Sequence, residues 1–226
     1  MNINFGGKNL VIHLRDDADQ SVFNEIFKVR EYRSADEAIK SARFPIVDVG
    51  AHAGFFVCYC RALNENAKIF AVEPESKNLE ALKKHIKDNN YLDIEVVEGA
   101  LAKDMGIGSL VISPDSHNHR LSNGDIAEGE TVKVKTYSFS GFCKKNKIKK
   151  ISLLKMDIEG GEYEVFDGLS ADDLNMVNFV ILEYHYGKEY KKIEDKLREN
   201  GFGVQVFPSK FEKTMGFLFA KNKRFK

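Results

Sequence analysis

Residues 46–56, Ile-Val-Asp-Val-Gly-Ala-His-Ala-Gly-Phe-Phe, decide the fold. An apolar run interrupted by one acid, Asp48, passes through a turn bounded by Gly50 and Gly54 and opens directly into the mainly apolar residues 55–63. A run this short reads as a strand buried on both faces, and the segment behind the turn reads as a helix. Glycine at position 50 lets the main chain turn sharply and lets a ligand approach it with no Cβ in the way. In an open α/β sheet the first strand-to-helix turn lies where the strand order reverses, and ligands bind there, outside the carboxyl ends of the strands.

Working outward, the same alternation repeats. KIFAVEP (68–74), IEVVEGAL (94–101), ISLLKMDIEGGE (151–162) and NFVILEYHY (178–186) read as buried strands, with helical spacing at 76–90, 138–145 and 189–200, the last closed by Gly201. FGVQVF (202–207) and MGFLFAK (215–221) read as an antiparallel hairpin. The expected fold is a doubly wound, seven-stranded, mostly parallel sheet ending in that hairpin, over residues 45–226. Residues 1–44 form an extension: a β-hairpin around Gly6 and Gly7, a helix over 22–29, and a second over 35–40 with Ser34 and Glu37 as a capping box. Between the strand-like SLVIS (109–113) and TVKVKTY (131–137) lies a polar stretch, read as a mobile insertion, with residues 117–128 expected to act as a lid.

The 226 residues, 43% hydrophobic and 30% charged, supply a sizeable core. The 34 basic and 34 acidic residues cancel, so no overall field draws in a nucleic acid. The basic run 144–150 and the basic tail read as solvated ends. No signal peptide and no apolar run of membrane-spanning length is visible, and Cys58, Cys60 and Cys143 form no disulfide set, which together suggest a cytoplasmic protein. Oligomeric state is not legible.

The glycine turn lacks the G-x-G-x-x-G spacing of a pyrophosphate cradle, since Ala51, His52 and Ala53 separate its two glycines. This disfavours a nicotinamide-dependent oxidoreductase and suits a ligand without phosphate, such as S-adenosylmethionine, with its amino-acid end against the backbone of residues 50–55. Glu73, ending its strand before Pro74, suits the two hydroxyls of a ribose. Glu98, Gly99 and Ala100 end the next strand, where an adenine ring would lie. Asp48, Gly50, His52, Ala53, Gly54, Phe55, Glu73, Pro74, Glu98, Gly99, Ala100 and Asp157 are therefore the candidate cofactor residues.

VDVGAHAGFF, AVEPE, LLKMDIEGGEYEVFDGL and VILEYH run in order from Ile46 to His185, and with them the chain resembles the FkbM-type methyltransferases. The resemblance implies a class I methyltransferase fold, S-adenosylmethionine as cofactor, and O-methylation, often of a sugar hydroxyl. His52 departs from the family's usual Asn. A non-catalytic module that kept the fold is the competing reading.

A hydroxyl nucleophile must lose its proton to a base or be acidified by a cation. Asp157 and Glu159 share one side of their strand if it stays extended, as do Glu183 and His185, so both pairs can converge beside the cofactor. These four are the candidate catalytic residues. His185, with its unperturbed pKa near neutrality, is expected to be the base, and Asp157 to contact the cofactor or orient the acceptor. The rival is a divalent metal held by Asp157, Glu159 and His185. His119 and Arg120, with His117, are candidates for the acceptor pocket, set against a reading as solvated loop residues.

Overall fold

The computed structural model describes residues 1–113, 119–121, 130–185, 187–209, 212 and 214–225, with Lys188 through its backbone alone. The chain opens with the hairpin β1 (Asn2–Phe5) and β2 (Lys8–Val11), α1 (Asp17–Phe23), a π-helical turn (Asn24–Val29), a 3-10 turn (Glu31–Ala35) and α2 (Asp36–Lys40). The alternating part runs β3 (Ile46–Val49), α3 (Phe55–Leu63), β4 (Ile69–Glu73), α4 (Ser76–Asp88), β5 (Ile94–Glu98) and β6 (Ala100–Leu101). Then come β7 (Gly106–Val111), β8 (Arg120–Leu121), β9 (Thr131–Tyr137), α5 (Phe139–Lys145), β10 (Ile151–Met156), α6 (Glu162–Gly168) and α7 (Ala171–Asn175). The chain ends with β11 (Val177–Tyr184), α8 (Tyr190–Glu199), β12 (Phe202–Pro208) and β13 (Gly216–Asn222).

Seven strands form the main sheet in the order β5-β4-β3-β10-β11-β13-β12, parallel except for β13, which runs antiparallel to both neighbours. The order reverses between β3 and β10, so the carboxyl ends of these strands flank the Gly50 turn. Side chains alternate across the sheet. Val47, Val49, Phe70, Val72, Leu154, Met156, Val180 and Leu182 enter one core with Phe142 of α5, Phe166 of α6 and Leu197 of α8. Ile46, Ile69, Ala71, Leu153 and Ile181 enter the other, with α3 and the N-terminal segment. By the same parity Asp48, Glu73, Lys155, Asp157 and Glu183 fall on the N-terminal segment's side. That segment is built into this second core: Leu10, Ile12, Phe23, Ile26, Tyr32 and Ile39 are buried there with Phe55, Phe56 and Tyr59.

Three features depart from the sequence reading. The capping box does not form: α2 starts at Asp36 with Ala35 before it and no side-chain cap, and Ser34 lies inside the 3-10 turn. The three-residue period of that turn puts Tyr32 and Ala35 on one face, and both are buried. Residues 94–101 are two strands because Gly99, at φ 139°, breaks the line, and a Cβ there would lie 2.7 Å from the Lys135 carbonyl oxygen. The strand-like flanks of the polar stretch, β7 and β9, join β6 and β8 in a second, four-stranded sheet in the order β6-β9-β7-β8, which the sequence reading did not foresee. Most of the expected lid, residues 117–128, lies outside the described residues. Among the described residues no helix is long and apolar enough to cross a membrane. Cys58, Cys60 and Cys143 are buried.

Candidate active site

The carboxyl ends of β3, β4, β10 and β11 open into a cavity of about 450 Å³, within the usual range for small-molecule sites. Its floor is an ion pair between adjacent strands. Lys155 lies beside Asp48 in the β10–β3 register, and their charged atoms are 3.1 Å apart with side chains 4% and 0% exposed. Burial pushes the Asp48 carboxyl up while Lys155 draws it down; burial lowers the Lys155 ammonium, and Asp48 and Asp157 more than restore it. Lys155 Nζ also donates to the Gly50 carbonyl at 2.7 Å. Asp48 is thus beneath the cavity, acting through Lys155 on the turn, and does not line the wall as expected.

The turn is braced from inside the protein. The amides of Gly50 and Ala51 both donate to the Val72 carbonyl at 3.0 Å, and that of Gly54 to Ala51 at 2.8 Å. The His52 amide donates to the Glu73 carboxylate at 2.8 Å. These four amides have partners, so the expectation of free backbone donors is not met at them. Gly50 sits at φ 77°, and a Cβ on it would lie 1.9 Å from the Asp157 carbonyl oxygen, so only glycine lets β10 close against the turn.

Glu73 lines the cavity at the end of β4. It accepts from the amides of His52 and Glu75, at 2.8 and 2.9 Å, and burial pushes its carboxyl up to about 7. Pro74, Gly99, Ala100, Leu101, Leu110, His119 and Leu121 complete a largely apolar end. His119 Nδ1 accepts the Ser113 amide at 3.0 Å. Glu98 and Arg120 are exposed and outside the lining; Ala53, whose carbonyl meets His85, and Gly54 are buried and also outside it. Glu98 shares the face of Glu73 in the β4–β5 register but sits on the edge strand and is exposed, while Gly99 and Ala100 reach the wall.

The opposite end gathers Asp157, Glu159, Glu183 and His185, all on the wall. Asp157 accepts from the Tyr32 hydroxyl at 3.2 Å and lies 3.9 Å from Lys155 Nζ. Burial, then Asp157, push the Glu159 carboxyl up to about 7. The His185 ring lies between two carboxylates, 3.5 Å from Glu159 through Nε2 and 3.5 Å from Glu162 through Nδ1. Burial favours the neutral ring, but Glu162, then Asp157 and Glu159, outweigh it and raise its pKa to about 10. The imidazole expected to titrate near 6.5 as the base is therefore an imidazolium at neutral pH. Asp157, Glu159 and His185 also bring one potential metal-ligand atom each within 4.8 Å of the others.

Sequence reasoning missed the N-terminal contribution. Glu25, Glu31 and Tyr32 line the cavity. Arg15 grips Asp19 through Nε and NH2 at 2.8 and 2.7 Å, and from the same NH2 reaches Asn78 at 2.9 Å and His52 at 3.2 Å. The only trace of this clasp in the sequence is the opposite-charge pair at i and i+4.

A family model described as the methyltransferase FkbM domain matches residues 48–204, and the chain belongs to that family. Its fold is that of class I S-adenosylmethionine-dependent methyltransferases. The chain is 28% identical over 195 residues to a hexuronic acid methyltransferase, AglP, of Haloferax volcanii, covering 83% of this chain and 77% of that one. Among solved structures it resembles a putative rRNA methylase from Clostridium thermocellum, with a TM-score of 0.54 and 12% identity over 84% of this chain and 94% of that one. The N-terminal domain of human METTL16, in complex with SAH, superposes with a TM-score of 0.50 and 15% identity over 88% of this chain and 70% of that one.

Proposed function

We propose that the protein transfers a methyl group from S-adenosylmethionine to a hydroxyl of a small, carbohydrate-like acceptor. The observation that carries this reading is one cavity with Glu73 and an apolar wall at one end and Asp157, Glu159 and His185 at the other. The donor set suits the cofactor: a carboxylate held by two amides matches a ribose diol, and Leu101, Leu110 and Leu121 match an adenine ring. Bound S-adenosylmethionine supplies a methyl group on a sulfonium whose sulfur leaves as a neutral thioether. Asp157, fixed by Tyr32, orients the acceptor hydroxyl. Glu159, with its pKa of about 7, takes the hydroxyl proton as the new C–O bond forms, the range in which a base works well at neutral pH. His185, as an imidazolium beside Glu159, positions that carboxylate. The sugar-acting relative supports the acceptor class, and a carboxylate-lined wall disfavours a nucleic-acid backbone.

A second reading has a divalent cation held by Asp157, Glu159 and His185 lower the hydroxyl's pKa, favoured by the close approach of their ligand atoms. Mass spectrometry after incubation with S-adenosylmethionine and a sugar library tests the function. A product one methyl heavier, formed in the presence of chelator, supports the base mechanism; product lost on chelation and restored by Mg²⁺ or Mn²⁺ supports the metal. Tight cofactor binding with no product from any acceptor favours a non-catalytic binding module.

A further inference from the structure

The acceptor end of the cavity carries more acidic groups than proton transfer requires. Glu25 and Glu31 come from the N-terminal segment, Asp157 and Glu159 follow β10, and Glu183 lies on β11, with Glu164 and Glu212 also in the cavity lining. Among the described lining residues the only Lys or Arg is Lys155, which is committed to Asp48 and the Gly50 carbonyl. His185 is already flanked by Glu159 and Glu162. Asp157 has Tyr32 and Glu25 has the Ser21 hydroxyl, at 2.9 Å. Glu31 and Glu183, by contrast, make no hydrogen bond or ion pair with any described residue, and neither is exposed. Both line the cavity half-buried, so water is what meets them in the ligand-free protein, and a ligand donor arriving there would take its place. They are electrostatic neighbours of Asp157 and of each other, and burial, then Glu25 and Asp157, push the Glu31 carboxyl up to about 7.

We propose that the acceptor is an amino-bearing polyol, such as an amino sugar, whose ammonium group is received by Glu31 and Glu183 while a neighbouring hydroxyl takes the methyl group. This rests on the methyl-transfer reading above. An ammonium offers three donors and a full positive charge, which meets both unpartnered acids. A carboxylate or phosphate in the same place would meet a wall of acids with no described cation free to answer it. A divalent cation held by Asp157, Glu159 and His185 would leave Glu31 unmet.

The test uses the full chain and the methyl glycosides of glucosamine, glucose and glucuronic acid as probes, by calorimetry on the protein loaded with S-adenosylhomocysteine and by methyl-transfer rate with S-adenosylmethionine. The amine should bind about tenfold or more tighter than the neutral sugar, and the uronate weakest of the three. That preference should shrink in high salt and fall severalfold in Glu31→Gln, with Glu183→Gln as the second variant if the first fails to fold. Equal or tighter binding of the uronate, a preference unchanged in both variants, or one appearing only with Mg²⁺ would overturn the proposal. Methylation of the neutral sugar with no amine preference sinks this inference alone. Amine binding that depends on Glu31 but is never followed by transfer supports the charge assignment and sinks the methyl-transfer reading.

Discussion

The two ends of the cavity treat their carboxylates in opposite ways. At the β4 end, Glu73 is 4% exposed yet fully engaged, accepting two backbone amides whose positions are set by the glycine turn and the start of α4. At the β11 end, Glu31 and Glu183 accept nothing from the described residues, and Glu159 meets His185 only at ion-pair range. At the first end the fold itself orients the acid, so a ligand finds it prearranged. At the second the fold concentrates charge and leaves the pairing to whatever binds.

Changes at the second end should have the larger effects on turnover. Glu159→Gln is expected to reduce kcat/KM by roughly 10² to 10⁴ and to remove the rising limb near pH 7 from the rate profile. His185→Ala should keep that limb and move it upward, because the imidazolium holds the Glu159 pKa down. A limb unmoved in both variants would take Glu159 out of the chemistry. Beneath both ends, Lys155→Met leaves Asp48 buried without its cation and should cost about 3 to 5 kcal/mol in denaturant unfolding, the range for breaking one partner out of a buried pair. At the first end, Glu73→Ala should weaken S-adenosylmethionine binding by about 1.5 to 3 kcal/mol in calorimetry, with a smaller effect on acceptor KM. Comparable loss at the acceptor side would erase the contrast.

The smallest effect is on stability against pH. Glu31, Glu73 and Glu159 are each raised from 4.5 to about 7 in the folded protein. Between those values the folded state holds more protons than the unfolded one, so stability falls as pH rises from about 4.5 to about 7. His185, raised from 6.5 to about 10, adds stability that is complete below 6.5 and lost towards 10. The urea midpoint of the ligand-free protein should decline across both windows, less steeply over the first in Glu159→Gln. A midpoint that climbs with pH over that range would contradict these assignments.

The main sheet was legible because each strand is short, apolar and punctuated. Asp48, Gly50, Glu73 and Pro74 mark strand ends by residue type alone, and the parity of Glu183 with His185 follows from an extended chain; that of Asp157 with Glu159 does not, because β10 ends at Met156 and Glu159 turns into the left-handed region at φ 55°. What was not legible depends on tertiary contacts. Gly99 looks like any residue of its run until Lys135 packs against it. His185 looks like a near-neutral base until Glu162, at the start of α6, is folded beneath it. Glu31 and Tyr32 are more than a hundred residues from Asp157 and share no pattern with it, so nothing local announces them.

The Arg15 clasp and the Tyr32 contact have a bearing on the order of assembly. Arg15 finds Asn78 across 63 positions, and Tyr32 finds Asp157 across 125 and stacks edge-on against Phe217. The N-terminal segment, synthesised before the rest, therefore waits for the later strands before it can settle. Closing such long loops is slow compared with forming helices or hairpins. A nascent chain can pack Phe23 and Phe27 early against Phe5, Phe55 and Tyr59, whereas Tyr32 gains Asp157 and Phe217 only late, so the cavity is walled in as the last hairpin arrives.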